Sequence, residues 1–469
     1  MGKISAVYLM PHPPIIIPEV GRGEERKIQN TSDALDKCGR HILGLKPDTI
    51  IVITPHGPVF RDAIAIASKN KLTGNLARFG AGKVAMSFEN DLDLVQSIMD
   101  EAEKSGIACI GIDNKVAVEY GISISLDWGV LVPLYFVTKQ YRDFRLIHIS
   151  ISFLSYEELY VFGTAVRNAV ESSDRHVCII ASGDLSHRLS QDGPYGFHPM
   201  GPKLDQQIID HAKAGNAEGF LTMDPVMVKE GGECGLRSII ISMGALDGYN
   251  IRSRVLSYEG PFGVGYGVAM FERRDKNKKR ELVNRIYARK QEHMAKVRKS
   301  EDPYVSLARR SLESYIRTGE IIKPGSELPK EMLEEKAGVF VSIKKNGQLR
   351  GCIGTIQPQR DNIAEEIIHN AISAGVRDPR FMPVDGSELG DLVYSVDVLE
   401  KPESVDTDDE LDPKKYGVIV RSGLRSGLLL PNLEGIDTVR EQIEIALQKA
   451  GIRPDEHYTL ERFEVKRHS

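Results

Sequence analysis

Three histidines each stand directly after a run of apolar residues of the kind that forms buried strands. These are His12, His56 and His187, and they come from three separate segments of the chain. In an open α/β sheet, ligands bind in the crevice beyond the carboxyl ends of the strands, so we expect the three imidazoles to meet there. Prolines beside His12 and His56 restrict the backbone and favour a fixed ligand geometry. The alternative is that each histidine caps a loop or makes a hydrogen bond in the core.

A metal site at this place needs a third ligand, because two imidazoles alone hold a divalent metal poorly. A carboxylate is the usual completion for ferrous iron, and Glu233 in the stretch GGECGLRS is the best candidate. Cys234 beside it is the alternative ligand, and its thiolate would favour softer metals such as copper. Because the two residues are adjacent, we expect only one of them to reach the metal. Glu233 has a structural interpretation as well, as an acid stabilised by a helix N-terminus.

The histidines belong to a stretch in which short apolar runs alternate with amphipathic ones. We predict strands at 4–10, 48–54, 145–152 and 176–182 and helices at 32–45, 91–106 and 156–172. Strand and helix therefore alternate along the chain. This order predicts an α/β domain over residues 1–272, with a mainly parallel sheet flanked by helices.

A different organisation follows this domain. Residues 273–302 are dense in charged side chains with few apolar positions, which is typical of a charged linker that becomes a helix. Residues 303–469 then combine helices with strands that do not alternate regularly. We predict a smaller α+β domain there.

Composition excludes several classes of protein. The 469 residues carry 61 Lys plus Arg against 66 Asp plus Glu, so nothing indicates a protein that wraps on nucleic acid. No segment has the run of about 18 apolar residues that a membrane span needs. The five cysteines are scattered and form no C-x-x-C pair, which favours a reducing compartment, and we expect a cytoplasmic protein.

The stretches PHPP, TPHGP, SGDLSH and GECGLRS together resemble the LigB-like, class III extradiol dioxygenase superfamily, and in particular its Memo-like branch. In that superfamily two histidines and a glutamate hold non-haem Fe(II), which implies His12, His56 and Glu233 here. The Memo-like branch instead has Cys-Gly at the third position, and Cys234 matches that cysteine. The histidine after the Gly-Asp turn acts as an acid and base, which implies His187 as the catalytic residue.

One motif departs from the ring-cleaving pattern. Those members tend to have Leu-Asp-His-Gly, whereas Trp128 takes the place of the histidine here, and it is the only tryptophan of the chain. This difference weakens the case for ordinary catechol cleavage.

Two further residues are candidates for substrate contact or support. Asp184 could orient His187 or simply end its strand, and His198 lies on a Gly- and Pro-rich loop that could close over the pocket.

The C-terminal part is similar to the AMMECR family over roughly residues 300–469, through LRGCIGT, DPRF, YSVDVL and GLLLP. Within the first motif, Arg350 could pair with an anion and Cys352 could be a reactive thiol. Gly351 and Gly354 would let a backbone approach a ligand closely. The alternative is that both glycines serve a bulge and that Cys352 is a small core residue.

Fusion of a Memo-like and an AMMECR domain resembles the AmmeMemoRadiSam system, which implies a separate radical SAM protein as a partner. We therefore expect an Fe(II)-dependent oxidoreductase of the extradiol dioxygenase type, acting on a small molecule or a protein. The second hypothesis is a non-catalytic scaffold that holds iron or copper and docks a protein partner. A zinc hydrolase using His12 and His56 ranks last, because no nucleophile is evident. The oligomeric state stays open.

Overall fold

The computed structural model describes residues 1–433 and 435–469, and the chain forms two compact units, Met1–Ala288 and Arg289–Ser469. No helix in these described ranges is both long and apolar enough to cross a membrane. The assignment of residues 273–302 as a charged linker stays a prediction. Within that range a helix runs from Val283 to Ser300.

Ten strands and ten helices precede that helix. The strands are β1 (Lys3–Met10), β2 (Thr49–Thr54), β3 (Ile64–Ala67), β4 (Lys71–Leu76), β5 (Ala81–Glu89), β6 (Cys109–Ile112), β7 (Arg145–Ser150), β8 (His176–Ser182), β9 (Tyr249–Glu259) and β10 (Tyr266–Lys276). The helices are α1 (Pro18–Gly21), α2 (Gln29–Leu45), α3 (Leu92–Lys104), α4 (Asn114–Tyr120), α5 (Trp128–Thr138), α6 (Tyr156–Ser172), α7 (Met200–Ala214), α8 (Ala217–Leu221), α9 (Pro225–Gly231) and α10 (Leu236–Gly244).

Eight of these strands form one mixed sheet in the order β6-β3-β7-β2-β8-β1-β10-β9. The four central strands, β7, β2, β8 and β1, run parallel, whereas β10 and β9 add antiparallel pairs at one side. The predicted α/β domain with a mainly parallel central sheet is confirmed. Strands β4 and β5 form a separate antiparallel pair that the apolar pattern did not predict.

Helices cover both faces of the central strands, which explains why those strands are apolar without alternation. Successive residues of β1 illustrate this arrangement. Val7 and Leu9 join the core cluster that includes residues of α3, α6 and α10, whereas Tyr8 and Met10 join the cluster that includes residues of α2 and α5. Both faces of the sheet are therefore buried.

The register brings the carboxyl ends of three parallel strands to one edge. Met10 of β1 pairs with Ser182 of β8, and Ile53 of β2 pairs with Ala181 of the same strand. The loops that follow β1, β2 and β8 carry the three histidines. They therefore start side by side, as the sequence predicts.

The second unit contains α11 (Val283–Ser300) from Arg289 onward and two antiparallel four-stranded sheets. Its strands are β11 (Val339–Lys345), β12 (Gln348–Gly354), β13 (Leu392–Leu399), β14 (Glu403–Val405), β15 (Gly417–Ser422), β16 (Arg425–Leu429), β17 (Thr459–Phe463) and β18 (Val465–His468). Its other helices are α12 (Pro303–Thr318), α13 (Lys330–Glu334), α14 (Ile363–Val376) and α15 (Val439–Ala450). The sheets have the orders β12-β11-β13-β18 and β14-β17-β15-β16, which confirms the predicted α+β class.

Candidate metal centre

Two imidazoles and one thiol meet beyond the carboxyl edge of the central strands. His12, His56 and Cys234 each offer one ligand atom, and these atoms all lie within 4.8 Å of one another. The Nε2 atoms of His12 and His56 are 2.9 Å apart, and Cys234 Sγ lies 3.5 Å from His12 Nε2. A donor set of two nitrogens and one sulfur is one that transition metals accept.

The third donor reaches this place through a close contact between two glycines. A Cβ atom on Gly183, directly after β8, would lie 2.1 Å from the Cα atom of Gly235. The Gly235 N–H also donates a hydrogen bond of 2.8 Å to the carbonyl of Asp184. The start of α10 is thereby held against the end of β8, and Cys234, which precedes Gly235, lies beside His12.

A serine fixes which nitrogen of His12 faces the other donors. The Ser182 hydroxyl donates to the Gly129 carbonyl at 2.5 Å, so its oxygen remains to accept from His12 Nδ1 at 2.9 Å. With the proton held on Nδ1, the lone pair of Nε2 points toward His56 and Cys234. This is the tautomer that ligates a metal through Nε2.

The protonation of His12 fits the same role. Burial lowers the pKa of His12 well below its usual value, and the neighbouring charge of His56 lowers it further. The imidazole is therefore neutral near pH 7. The backbone N–H of His12 donates to Asp184 Oδ1 at 2.9 Å, which anchors the loop after β1.

His56 is held from the other side by Trp128. The two rings stack with centroids 4.2 Å apart, Phe79 contacts the indole edge-on, and the Arg78 guanidinium lies 5.2 Å from the indole centroid. Burial lowers the pKa of His56, and the charge of Arg78 lowers it further, whereas Asp127 raises it. Trp128 therefore packs against a ligand candidate and fills space beside it.

Burial raises the pKa of the Cys234 thiol well above its usual value, and the nearby Asp184 and Glu233 carboxylates add to this. The protein alone therefore keeps Cys234 protonated at neutral pH. A bound metal cation deprotonates a coordinating thiol outright. Two neutral imidazoles with one preset tautomer and a buried thiol thus fit a metal ion that carries its own positive charge.

Glu233 does not share this cluster. Its Oε2 accepts a hydrogen bond from the Leu236 N–H at 3.0 Å, and its Oε1 lies 3.8 Å from Arg237 Nε. The side chain therefore binds the start of α10, as the structural interpretation of an acid at a helix N-terminus predicted. The structure places Cys234, and not Glu233, beside the two imidazoles.

His187 lies at the side of the cluster. Its Nε2 atom is buried and has no hydrogen-bond partner among the described residues, and Asp184 Oδ2 lies 3.8 Å away. Burial lowers the pKa of His187 to about 4, with a further lowering from His56. Burial also raises the pKa of Asp184 to about 7, although the His12 N–H opposes this. Tyr195 stacks on the His187 ring at 5.3 Å.

The other predicted loop histidine points elsewhere. His198 Nδ1 accepts from the Met200 N–H at 3.3 Å, and its Nε2 lies 3.7 Å from Glu230 Oε2. His148 is buried in β7, and its Nε2 lies 3.3 Å from Asp127 Oδ2. Neither residue belongs to the metal-ligand cluster.

Sequence reasoning missed Ser182, Arg78 and Tyr195. Ser182 carried one usable signal, since it is the last residue of the predicted strand at 176–182. Arg78 lies in the turn between the unpredicted strands β4 and β5, and nothing in the pattern around Tyr195 distinguished it from other loop aromatics.

In the second unit, Arg350 is bound internally. Its Nη2 and Nε donate to the two carboxylate oxygens of Glu388 at 2.8 and 3.0 Å, and its Nη1 donates to the Met382 carbonyl at 2.9 Å. An external anion would have to displace this carboxylate. The expected anion site at Arg350 is therefore replaced by an internal ion pair.

The other residues of that motif, Gly351, Cys352 and Gly354, have packing roles in the edge strand β12. A Cβ on Gly351 would lie 2.1 Å from the Ala374 carbonyl, and one on Gly354 would lie 2.2 Å from the Phe340 ring. Cys352 is half-buried; its N–H donates to Asp378 Oδ2 at 2.9 Å, and Ser342 Oγ lies 3.2 Å from its sulfur. The glycines thus provide room for α14 and β11.

Comparisons with known proteins match the two parts of the chain separately. Residues 6–269 match the family described as the catalytic LigB subunit of aromatic ring-opening dioxygenase, and residues 305–468 match the AMMECR1 family. Protein CA_C1420 of Clostridium acetobutylicum is 50% identical over 472 residues, which covers 99% of each chain. A Thermotoga maritima protein is 52% identical over 170 residues, covering 36% of this chain and 98% of the relative.

Two solved structures match parts of the chain. The crystal structure of protein PH0010 from Pyrococcus horikoshii is 36% identical and covers 35% of this chain and 88% of that protein, with a TM-score of 0.33. That of protein JW3007 from Escherichia coli K12 is 12% identical and covers 57% of this chain and 99% of that protein, with a TM-score of 0.37.

Proposed function

Because the chain belongs to the LigB family of aromatic ring-opening dioxygenases and carries an AMMECR1 domain after it, we propose that its first unit is a metal-dependent oxidoreductase. The convergence of His12, His56 and Cys234 within 4.8 Å carries this proposal. The proposal does not depend on any feature of the second unit.

The metal that we propose is Fe(II), held by His12, His56 and Cys234. A bound transition metal supplies a Lewis acid and a redox centre with open positions for substrate and dioxygen. Copper is the competing metal, because a thiolate is a softer donor than the carboxylate expected from Glu233. Zinc suits the same donors but brings no redox chemistry.

The proposed proton transfers belong to His187. Burial lowers the pKa of His187, so the imidazole is neutral at pH 7, and no hydrogen bond from the described residues occupies its Nε2, which can therefore accept a proton from a substrate hydroxyl. Asp184, 3.8 Å away, would stabilise the resulting imidazolium. Tyr195 stacks on the imidazole and supports its orientation.

The first experiment is elemental analysis of protein purified without oxygen. We expect about one metal ion per chain, since one ligand cluster is present among the described residues. His12→Ala and Cys234→Ala should lose the metal, because each removes a donor atom. Glu233→Gln is the matched control, since its neighbour Cys234 stays in place; we expect it to retain the metal.

The result separates the ligand assignments. Loss of metal in Glu233→Gln but not in Cys234→Ala would reverse the roles of the two residues. Absence of metal from the parent chain after reconstitution with Fe(II), Cu(I) and Zn(II) would remove the metal centre itself. Dioxygen uptake with phenolic compounds, abolished in His187→Gln at unchanged metal content, then tests catalysis.

The second candidate is a metal-binding scaffold that docks a protein without turnover. Two observations favour it: a thiol replaces the carboxylate, and Trp128 packs on His56 where ring-cleaving relatives have a histidine. A protein that binds copper through Cys234 and consumes no dioxygen with any phenol would support this candidate over the enzyme.

We also propose that a separate radical SAM protein acts with this chain. The support is the pairing of the two domains in one chain. Co-purification of the tagged full chain with such a protein tests this partner, and its absence from the purified complex would remove it.

A further inference from the structure

The first unit has a surface cavity of about 590 Å³ that the proposed function does not use. Its lining combines Lys69 and Thr73 with residues of α4 and of the segment 122–125. The lining includes none of the metal-ligand candidates and does not include His187. The volume lies within the range of about 300–1,000 Å³ that is typical of small-molecule pockets.

Part of the lining is apolar. Ala117 and Val118 of α4 line the cavity, and so do Ile122 and Ile124, which follow that helix. Both isoleucines pack against the small core cluster that includes Ala117, so the core holds them in place. Val118 is 83% exposed, so its methyl groups contact water. A ligand with an apolar body would remove this surface from water, which is favourable.

Lys69 is the only charged residue in the lining, and it is half-buried. Within residues 1–433 and 435–469, no carboxylate lies within 4.0 Å of its ammonium group, and burial lowers its pKa below the usual value. A partly buried cation that lacks a counter-ion is stabilised when an anion binds beside it. The cavity therefore combines an apolar wall with one unpaired positive charge.

Hydrogen bonds hold the polar part of the cavity in place. The buried Asn90 side chain donates to the Lys69 carbonyl at 3.0 Å. The Ser125 hydroxyl donates to the Thr73 carbonyl at 3.3 Å, and the Ser125 N–H donates to Ser123 Oγ at 3.3 Å. The Ser123 hydroxyl therefore keeps its own proton to donate to a ligand. A site fixed in this way loses little conformational freedom on binding.

A single ammonium group beside an apolar wall favours a ligand with one negative charge. A carboxylate carries one charge, whereas a phosphate monoester carries about two at pH 7 and would keep unpaired charge against the isoleucines. We propose that this cavity binds a small organic acid whose carboxylate pairs with Lys69 and whose hydrocarbon part covers Val118, Ile122 and Ile124. This ligand site does not depend on the proposed function, because no metal-ligand candidate lines it.

Three simple ligands separate the contributions of charge and apolar contact. Metal-free full-length protein is titrated with octanoate, 1-octanol and acetate at low ionic strength, and isothermal titration calorimetry gives the dissociation constants. We expect octanoate to bind about tenfold more tightly than 1-octanol, which corresponds to about 1.4 kcal/mol, because only octanoate pairs with the ammonium group. Acetate should bind more weakly than octanoate, since it has no hydrocarbon chain to cover the apolar wall.

Variants assign each contribution to a residue. Lys69→Gln should weaken octanoate binding about tenfold and leave 1-octanol unchanged, whereas Lys69→Arg should keep part of the preference for the acid. Val118→Ser should weaken both ligands about fourfold, because an apolar contact is lost that does not depend on charge. Lys83→Gln, at an exposed lysine of β5 outside the lining, is the matched control and should bind like the parent.

Equal affinity for octanoate and 1-octanol, octanoate binding that Lys69→Gln leaves unchanged, or no saturable binding of octanoate would overturn the inference. An apolar tripeptide with a free C-terminal carboxylate is titrated in parallel. Tighter binding of this peptide than of octanoate would assign the cavity to a protein partner and would also overturn the small-acid assignment. The titrations need neither metal nor turnover, so their failure is distinct from a failure of the metal analysis.

Discussion

Two adjacent residues, Glu233 and Cys234, have different roles at the start of α10. Cys234 is buried and Glu233 is half-buried; the carboxylate turns to the Leu236 N–H, while the thiol turns to His12 Nε2. A carboxylate gains hydrogen bonds from unpaired N–H groups at a helix start, and a thiol gains much less. The short, weakly polar side chain is therefore the one left to face the imidazoles.

Ser182 gives a test of how strongly the tautomer of His12 matters. Ser182→Ala removes the acceptor at 2.9 Å from Nδ1, so the ring is free to carry its proton on Nε2 instead. Loss of such a supporting partner typically weakens metal affinity about 10–100-fold. Competition with a chromophoric chelator, compared between Ser182→Ala and the parent chain, measures this loss.

Ser186→Ala is the control, because Ser186 is also a fully buried serine in the same loop region but donates to the Gly231 carbonyl. It should keep the metal affinity of the parent. Equal affinity in Ser182→Ala and the parent would show that His12 does not depend on this hydrogen bond.

At the scale of elements, the contact between the end of β8 and the start of α10 decides whether the third donor arrives. Gly183→Ala would place a methyl group 2.1 Å from the Gly235 Cα, so the two segments must separate. Cys234 would then move away from His12, and we expect metal affinity to fall at least tenfold. Metal titration and thermal unfolding of the variant check both consequences.

Gly44→Ala, in α2, is the matched glycine control. A Cβ at Gly44 would meet no atom within 4 Å, so metal affinity should be unchanged, and stability should rise slightly through helix propensity. Unaltered metal binding in Gly183→Ala would contradict the role assigned to the glycine contact.

The ion pair between Arg350 and Glu388 joins β12 to the turn before β13, and it should be sensitive to acid. Burial would raise the pKa of Glu388, but hydrogen bonds from Arg350 and the Asp385 N–H, with the charge of Lys345, lower it to about 2. A lowered pKa contributes stability above the unfolded value, and this contribution is lost as pH falls from about 4.5 toward about 2.

Arg350→Met should therefore destabilise the second unit by about 1.5–3 kcal/mol near pH 7, because Glu388 loses two charged hydrogen bonds and keeps only Lys345 as a charged partner. The difference from the parent should shrink at about pH 3, where the advantage of the ionised carboxylate fades. Thermal unfolding followed by circular dichroism measures it. Arg440→Met, which removes an exposed pair with Glu444, is the control and should leave stability nearly unchanged. A pH-independent difference would contradict the role of Glu388.

At the scale of the whole molecule, metal binding should stabilise the first unit against unfolding, and the fluorescence of Trp128 should report this change. Trp128 is the only tryptophan and lies in the first unit, so its fluorescence reports unfolding of that unit. Free metal at about 100 times its dissociation constant should add about 2.7 kcal/mol to that unit's stability. Urea unfolding with and without the metal measures the shift, and Cys234→Ala should lose most of it. An equal shift in that variant would show that the metal binds elsewhere.

The sequence by itself determined the elements that carry the site and the edge at which they end. Continuous apolar runs predict β1, β2 and β8, because both faces of those strands are buried. His12, His56 and His187 come directly after these runs, so their place at the strand ends could be predicted as well. Such features depend on residues that are close together in the chain. They could be predicted without knowing any tertiary contact.

Only the tertiary structure decided which side chains meet at that edge. Cys234 rather than Glu233 reaches His12 because Gly183 and Gly235 touch across about fifty positions of sequence, which local pattern does not encode. The ion pair of Arg350 with Glu388 and the contact of Arg78 with Trp128 also join residues that are far apart in the sequence. Strand and helix positions follow from local periodicity, whereas ligand identity and charge pairing follow from packing between distant segments.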